Sequence, residues 1–519
     1  MHEREADAPI PAYSWYALGV LVLVYVLNFV DRQILSILAN DIKADLKLSD
    51  ADLGFLYGTA FAVFYALFGI PLGRLADSWS RVRLMSMGLA LWSLMTAASG
   101  FSRSGTTLAA ARVGVGVGEA TASPAAYSLI ADLFPARLRA TALAIYSSGL
   151  YLGGGLSLLI GGSIVQRWNA AYPAGGPLGL VGWQAAFLAV GLPGLLLAAW
   201  VASLREPVRG AIDGMPQPSD PSPFRAFVAE LFDVIPPFTL IGAFRRGKFA
   251  LLANLSFAGM LALLVAALTW ALGRSTLQQW LFVGIGVYAV FCWAAALRRR
   301  DPPTFRLIWK SPAFLCTTLG YGTVAFTSYA ASYWGAPYAE RTFGVAKSDL
   351  GLMIGGPGAL AGFLGVIIGG RVADALQLRY TNGRVMVVLF GLLAPAPALF
   401  AAYTAASFLA FAGLSFVVVM LSSAALGAAA AASQALVLPR MRGAATAAFF
   451  LATTLFGLAL GPFMAGYVSA LNGNDLGRGM ISTLVVIPAG IALLAVALRT
   501  VPRSVATVVE RARAAGEAI

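Results

Sequence analysis

Four ionisable residues lie deep inside apolar stretches of this 519-residue chain, and they hold the chemistry open to it. Asp31 and Arg32 close the string Asn28-Phe29-Val30-Asp31-Arg32, and Arg112 and Glu119 bracket Val113-Gly114-Val115-Gly116-Val117-Gly118. Charged groups in such surroundings are costly and are functional candidates by default. Arg112 and Glu119, seven residues apart, share one helical face at a separation of about 10 Å along the axis. That distance is too long for a tight mutual pair and leaves room for Asp31 to approach Arg112. Burial favours the neutral form of a carboxyl group, and a neighbouring guanidinium favours the charged form. Asp31 and Glu119 are therefore candidate proton carriers, with movement of Arg112 between partners as the coupling element. A static ion pair that only fixes the helices is the competing account. Arg32 must point about 100° away from Asp31 around a helix, so contact with lipid headgroups competes with a central place for it.

Other chemistry finds little support. His2, in the N-terminal tail, is the only histidine, which removes the commonest proton shuttle and metal ligand. Cys292 and Cys316 fall in separate apolar stretches and form neither a disulfide framework nor a zinc set. Gly114, Gly116 and Gly118 have no strand before them, so they serve close helix packing and not a phosphate loop; Gly149, Gly153, Gly154 and Gly155 read the same way. With no nucleophile and base pair in view, an enzyme is not expected, and neither a cofactor nor a metal is called for.

The elements that must position these residues are membrane helices. The chain is 59% hydrophobic and 11% charged, against about 25% charged in a soluble domain. Apolar runs long enough to cross a hydrocarbon core recur near 15–38, 52–73, 84–102, 106–131, 139–165, 183–204, 249–272, 278–297, 312–338, 349–372, 383–404, 407–437, 443–469 and 480–499, fourteen in all. Short alternating segments of the barrel kind are absent, which leaves an all-α polytopic membrane protein. The first run lacks a cleavage pattern and is expected to remain as an anchor. The net charge of +13 is spread along helix flanks with no interleaved aromatics, which argues against nucleic acid. With the N-terminus in the cytoplasm, most of the 36 Lys and Arg fall on the cytoplasmic side, as the positive-inside rule requires.

An internal repeat organises the spans. Asp52-Leu53-Gly54 matches Asp349-Leu350-Gly351, and Gly73-Arg74-Leu75-Ala76-Asp77 matches Gly370-Arg371-Val372-Ala373-Asp374 at the same offset of 297, with Gly58 and Gly355 in register. Pro135, Arg137, Gly153 and Gly162 match Pro439, Arg440, Gly457 and Gly466 at 303 to 304. Two parallel six-helix halves follow, 1–204 and 311–500, with a cytoplasmic tail at 501–519. Between them lie a Pro-rich cytoplasmic linker of little packed structure, 205–248, and two unmatched spans with their return loop, 249–310. Gly73, Asp77 and Arg81, with the repeated Asp374, form a candidate gate at the cytoplasmic end. The span 312–338 is polar and aromatic: Tyr321, Ser328 and Ser332 share a face suited to a neutral cavity wall, whereas Tyr333 and Trp334 suit the membrane interface. Tyr57, Asn28 and Arg32 complete the candidate substrate contacts.

The string Gly73-Arg74-Leu75-Ala76-Asp77-Ser78-Trp79-Ser80-Arg81-Val82-Arg83 resembles the signature loop of the major facilitator superfamily, departing from it at Ser78 and Ser80. Asn28 to Arg32, Val115-Gly116-Val117-Gly118-Glu119-Ala120 and Ile130-Ala131-Asp132-Leu133-Phe134 resemble its spinster subfamily. That resemblance implies proton-driven transport of a lysophospholipid or sphingolipid-type amphiphile, coupled through Asp31, Arg112 and Glu119. The two unmatched spans are not part of the common twelve-helix spinster pattern. A proton-coupled carrier of small organic anions or drugs is the alternative; the second half offers no buried cation for an anion, which favours the amphiphile. The partners expected are that lipid, protons and the surrounding membrane lipids, for a monomer in a bacterial inner membrane with both termini cytoplasmic. The five Lys against 31 Arg fit a bacterial chain of GC-rich origin.

Overall fold

The structure is a computed structural model that describes residues 10–173, 175–213 and 221–518. His2 and most of the Pro-rich string, 215–220, lie outside the described residues. In chain order the helices are α1 (Ala12–Leu46), α2 (Asp50–Ser78), α3 (Arg81–Ser99), α4 (Gly105–Glu119 continued by Ala122–Leu133), α5 (Ala136–Ala171) and α6 (Gly182–Ala202). Then come α7 (Pro223–Val234), α8 (Phe238–Arg245), α9 (Lys248–Leu272), α10 (Leu277–Arg300) and α11 (Pro302–Trp309). The second half holds α12 (Pro312–Phe343), α13 (Lys347–Arg379), α14 (Gly383–Ala402), α15 (Phe408–Gln434), α16 (Pro439–Leu471) and α17 (Leu476–Ala506), followed by α18 (Val508–Ala514).

Twelve of these are long and apolar enough to cross a membrane. The other two expected spans, α4 and α12, are present as helices but fall below that apolar threshold. The reason is chemical: α4 carries Arg112 and Glu119, and α12 carries a run of Thr, Ser and Tyr. Both are sheltered from lipid by their neighbours, so their polarity is affordable. Local signals set the boundaries. Ser49 caps α2 reciprocally with Asp52, its hydroxyl accepting from the Asp52 amide at 3.1 Å and the Asp52 carboxylate accepting from the Ser49 amide at 2.9 Å. Ser80 and Ser311 cap α3 and α12, and Gly344, at φ 64°, ends α12 in the left-handed region.

Within the first half α1 lies on α5, α3 on α6 and α2 on α4; within the second, α12 lies on α16 and α17, and α13 on α15. The halves meet along three lines: α1 against α12 in the centre, α2 against α16 on one flank, and α5 against α13 on the other. The repeated glycines mark the two flanks. A Cβ on Gly54, Gly58 or Gly466 would fall on backbone of the opposite helix in the α2–α16 seam; one on Gly351, Gly355 or Gly162 would do so in the α5–α13 seam. They permit backbones to approach without intervening side chains.

Within the expected linker 205–248, residues 223–248 correct the expectation of little packed structure. α7 and α8 are helices bent by 94° to one another. Phe227 packs on Leu72 and Leu75 of α2, and Asp233 is held by Arg246 at 2.6 Å and by Arg300 of α10. An amphipathic face that can be buried outweighs the flanking prolines, which sit at helix starts where their missing N–H costs nothing. The unmatched pair α9 and α10 differs sharply from the core spans: 11% of the most apolar window of α9 is buried, against 67% for α2, so α9 forms the outer rim.

Candidate functional site

The four buried ionisable residues converge from α1 and α4. Arg32 donates from Nη2 to Glu119 Oε2 at 2.7 Å, with both side chains shut away from solvent. Its guanidinium is also walled by aromatic rings, 4.8 Å from the centroid of Phe29, 4.5 Å from Phe61 and 5.0 Å from Tyr65. The headgroup contact entertained for Arg32 is thereby overturned: the turn of the helix that separates it from Asp31 aims it into the bundle. Asn28 lies beside Glu119 one turn earlier in α1.

Arg112 is fully buried and donates to the backbone carbonyl of Asp31 at 3.3 Å, not to its carboxylate. Its guanidinium stands 5.4 Å from the Phe61 ring, which both arginines therefore share. The Asp31 carboxylate is 0% exposed, and neither oxygen has a hydrogen-bond partner among the described residues. Trp92 and Thr96 of α3 lie beside it, and their own polar atoms are also unpartnered. An ionised carboxylate so placed would bear the full desolvation cost, whereas a protonated one would not. The centre thus holds one made pair, Arg32–Glu119, and one unmade pair, Arg112 and Asp31.

Beside this centre runs an aromatic wall within the first half. Tyr25 stacks on Tyr146 at 4.3 Å, Tyr127 meets Tyr146 edge-on at 5.7 Å, and Phe61 stacks on Tyr65 at 5.4 Å. Sequence reasoning did not single out these residues. The only signal for them was aromatic spacing on α1, α2, α4 and α5, which core packing also produces.

The candidates of the second half do not join the ionisable centre. Tyr321 is buried and stacks on Phe449 at 5.3 Å, and Ser328 is half-buried. Ser332 lies at the junction of the halves, where its carbonyl accepts from Gln33 Nε2 at 2.7 Å. Tyr57 donates to Gln33 Oε1 at 2.8 Å and stacks on Tyr333 at 4.2 Å. Tyr333 and Trp334, expected at the membrane interface, are instead fully buried, and the Trp334 indole donates to the Pro462 carbonyl at 2.9 Å. Trp334 thus finds its polar partner in the seam, whereas Tyr333 is held there by its ring stacking, its hydroxyl having no hydrogen-bond partner among the described residues.

Among the described residues, every ion pair joining the two halves lies at the Asp50 end. Asp50 accepts both Nη atoms of Arg341 at 2.9 Å, Lys43 at 2.6 Å and the Ser469 hydroxyl at 2.7 Å. Lys347 pairs with Asp41 at 2.9 Å and with Glu340, which also accepts from Asn40 at 2.7 Å. Sequence reasoning missed this lock, although the repeat pointed to it: Asp50 and Lys347 occupy matching positions at the offset of 297 and carry opposite charge.

At the other end the contacts stay within one half or its linker. Arg81 does not pair with Asp77. It is fully buried, bonded to Asp132, to the Ser128 hydroxyl at 2.9 Å and to Glu206 at 2.8 Å. Asp77 is exposed near Arg74 and Arg209, Gly73 is half-buried, and Asp374 is exposed with Arg384 at 3.7 Å. Glu206 is partly buried, which pushes its carboxyl up. The Val82 amide, the Arg81 guanidinium and the Ser80 hydroxyl outweigh that burial and hold it below the usual glutamate range. No group of three or more metal-ligating side chains occurs among the described residues.

Known proteins resemble this chain in sequence and in fold. Residues 21–339 match the family model of the Major Facilitator Superfamily. An MFS-type efflux pump of Mycolicibacterium smegmatis is 28% identical over 475 residues, 91% of this chain and 88% of that protein. Protein spinster homolog 1 of Xenopus tropicalis is 26% identical over 472 residues, covering 87% and 72%. The crystal structure of a bacterial homolog to the human lysosomal transporter spinster, inward-facing and unoccupied, superposes with a TM-score of 0.68 at 26% identity, covering 96% of this chain and 98% of that one. The family match over most of the first half and beyond, and the likeness to spinster homologues in sequence and in fold, show that this chain belongs to the Major Facilitator Superfamily as a spinster-like transporter.

Proposed function

We infer that this transporter moves an amphiphilic lipid, of lysophospholipid or sphingolipid type, across the membrane in exchange for or together with protons. The observation that carries the coupling is the buried Asp31 carboxylate, unpartnered beside Arg112 while Arg32 and Glu119 are already paired. Protonation of Asp31 leaves Arg112 its carbonyl bond only; ionisation draws the guanidinium to the carboxylate. Each protonation state thus favours a different packing of α1 against α4, the condition for coupling a proton to a conformational change. Support for the amphiphile comes from the division of the interior, charged and aromatic on the first-half side and neutral on the second. Asp50 and its partners act as the outer gate, with Gly73, Asp77, Arg81 and Asp374 at the inner gate. The excess of basic residues at the Arg81 end supports a cytoplasmic location for that end and for both termini in a bacterial inner membrane.

A second reading, export of drugs, rests on the efflux pump relative that matches most of the chain. One experiment separates them. Purified protein in liposomes is offered lysophosphatidylcholine, a cationic dye and a sugar acid, with and without a pH gradient. The amphiphile reading expects lysophosphatidylcholine movement that responds to the gradient. Dye movement alone supports drug export.

A further inference from the structure

The inserted helices have no task in the transport cycle described so far, yet α10 does not stand off in the bilayer. It lies along the groove between α2 of the first half and α16 of the second. Towards the Asp50 end Gln279 is buried; its Oε1 accepts from the Thr59 hydroxyl of α2 at 2.6 Å, and its Nε2 donates to the Ala459 carbonyl of α16 at 3.2 Å. One side chain of the insertion is therefore bonded to both halves. Next along the helix, Phe282 meets Phe55 and Phe64 of α2 edge-on at 5.2 and 5.6 Å, and Trp280 meets Phe463 of α16 at 6.0 Å. Nearer the Arg81 end, Ala289 and Trp293 share a buried cluster with Ala66 and Leu67 of α2 and Leu451 and Leu455 of α16. α7 then continues the cover along α2 through Phe227, tied to α10 by Glu230–Arg300 at 2.5 Å.

The α5–α13 seam is different. On its two helices Leu152, Leu156, Leu352, Leu360 and Phe363 are exposed. We propose that α10 seals the α2–α16 flank against the bilayer, so that an amphiphile passes between bilayer and central cavity through the α5–α13 seam alone. This rests on the amphiphile reading. An acyl chain can remain in hydrocarbon while its headgroup moves only where two helices part towards lipid, and α10 fills that gap on one flank with apolar side chains and a satisfied Gln279.

The seal is read first without cargo. In a Cys292→Ser, Cys316→Ala background, bimane is attached at Tyr151→Cys on α5 or at Phe64→Cys beneath α10, and doxyl-phosphatidylcholine in the liposome is the quencher. Quenching several-fold stronger at position 151 is expected; equal or stronger quenching at position 64 overturns the proposal whatever the protein carries. Flux is read second. Cross-linking Tyr151→Cys to Gly362→Cys with dibromobimane should cut lysophosphatidylcholine movement at least tenfold, whereas linking Val63→Cys to Gly286→Cys should leave it within twofold. The reverse pattern overturns the proposal. Wild-type liposomes that move a sugar acid but not lysophosphatidylcholine overturn the amphiphile reading and the portal with it, while the quenching contrast still decides whether the flank is sealed.

Discussion

Asp31 and Glu119 are both buried acids, yet they answer to different physics, and substitution should separate them. Glu119 neutralises Arg32, so Glu119→Gln leaves a guanidinium buried without its partner, a loss of about 3–5 kcal/mol for a pair of this kind. A clear fall in the thermal unfolding midpoint in detergent is expected, partly restored in the Arg32→Gln, Glu119→Gln double variant. The Asp31 carboxylate accepts no hydrogen bond among the described residues, and its backbone carbonyl keeps the Arg112 bond, so Asp31→Asn should leave that midpoint nearly unchanged while removing the pH dependence of liposome flux. Flux by Asp31→Asn that still follows the pH gradient would falsify the coupling role. Glu206 gives a test outside the membrane. Its carboxyl is held below the ordinary value of 4.5, so the folded state gains from the ionised form at and above that value and loses the gain as pH falls through the lower folded value. Wild-type protein should therefore exceed Glu206→Gln in thermal stability at neutral pH, and the difference should shrink progressively in acid below pH 4.5.

Helices were more legible than their contacts. The placement of α1 to α6 and α12 to α17 follows from the apolar runs of the chain, α4 and α12 being the two whose polar residues dilute that signal, because lipid demands continuous helix. The aim of Arg32, by contrast, depends on where α4 lies, and the fate of Tyr333 depends on Tyr57 from the other half; single-helix patterns carry neither fact. α7 and α8 were hidden because prolines beside a helix look like prolines that prevent one. Between helices, the bonds of Asp50 to Arg341, Lys43 and Ser469 join α1, α2, α12 and α16 at one point. Asp50→Asn should weaken that join, and a membrane-impermeant thiol reagent added from the Asp50 side should label Ser332→Cys at least tenfold faster in that variant. An unchanged labelling rate would show that the glycine contacts of α2 on α16 suffice to keep this end shut.

At the scale of the whole molecule, the halves share geometry but not charge. The repeat was readable because the same glycines recur where helix backbones must touch; the asymmetry was readable because buried ionisable residues occur in α1 and α4 and not at matching depth in the second half. What the chain alone left open was the place of α9 and α10, since an apolar helix reports that it meets lipid but not which groove it fills. The same asymmetry makes the second half interchangeable in principle. A chimera retaining the first half of this chain and taking α12 to α17 from a relative with different cargo should keep its response to protons and acquire the donor's selectivity. The graft would have to bring acceptable substitutes for Glu340, Arg341 and Lys347, because those three side chains are how the second half is fastened to Asn40, Asp41 and Asp50 of the first.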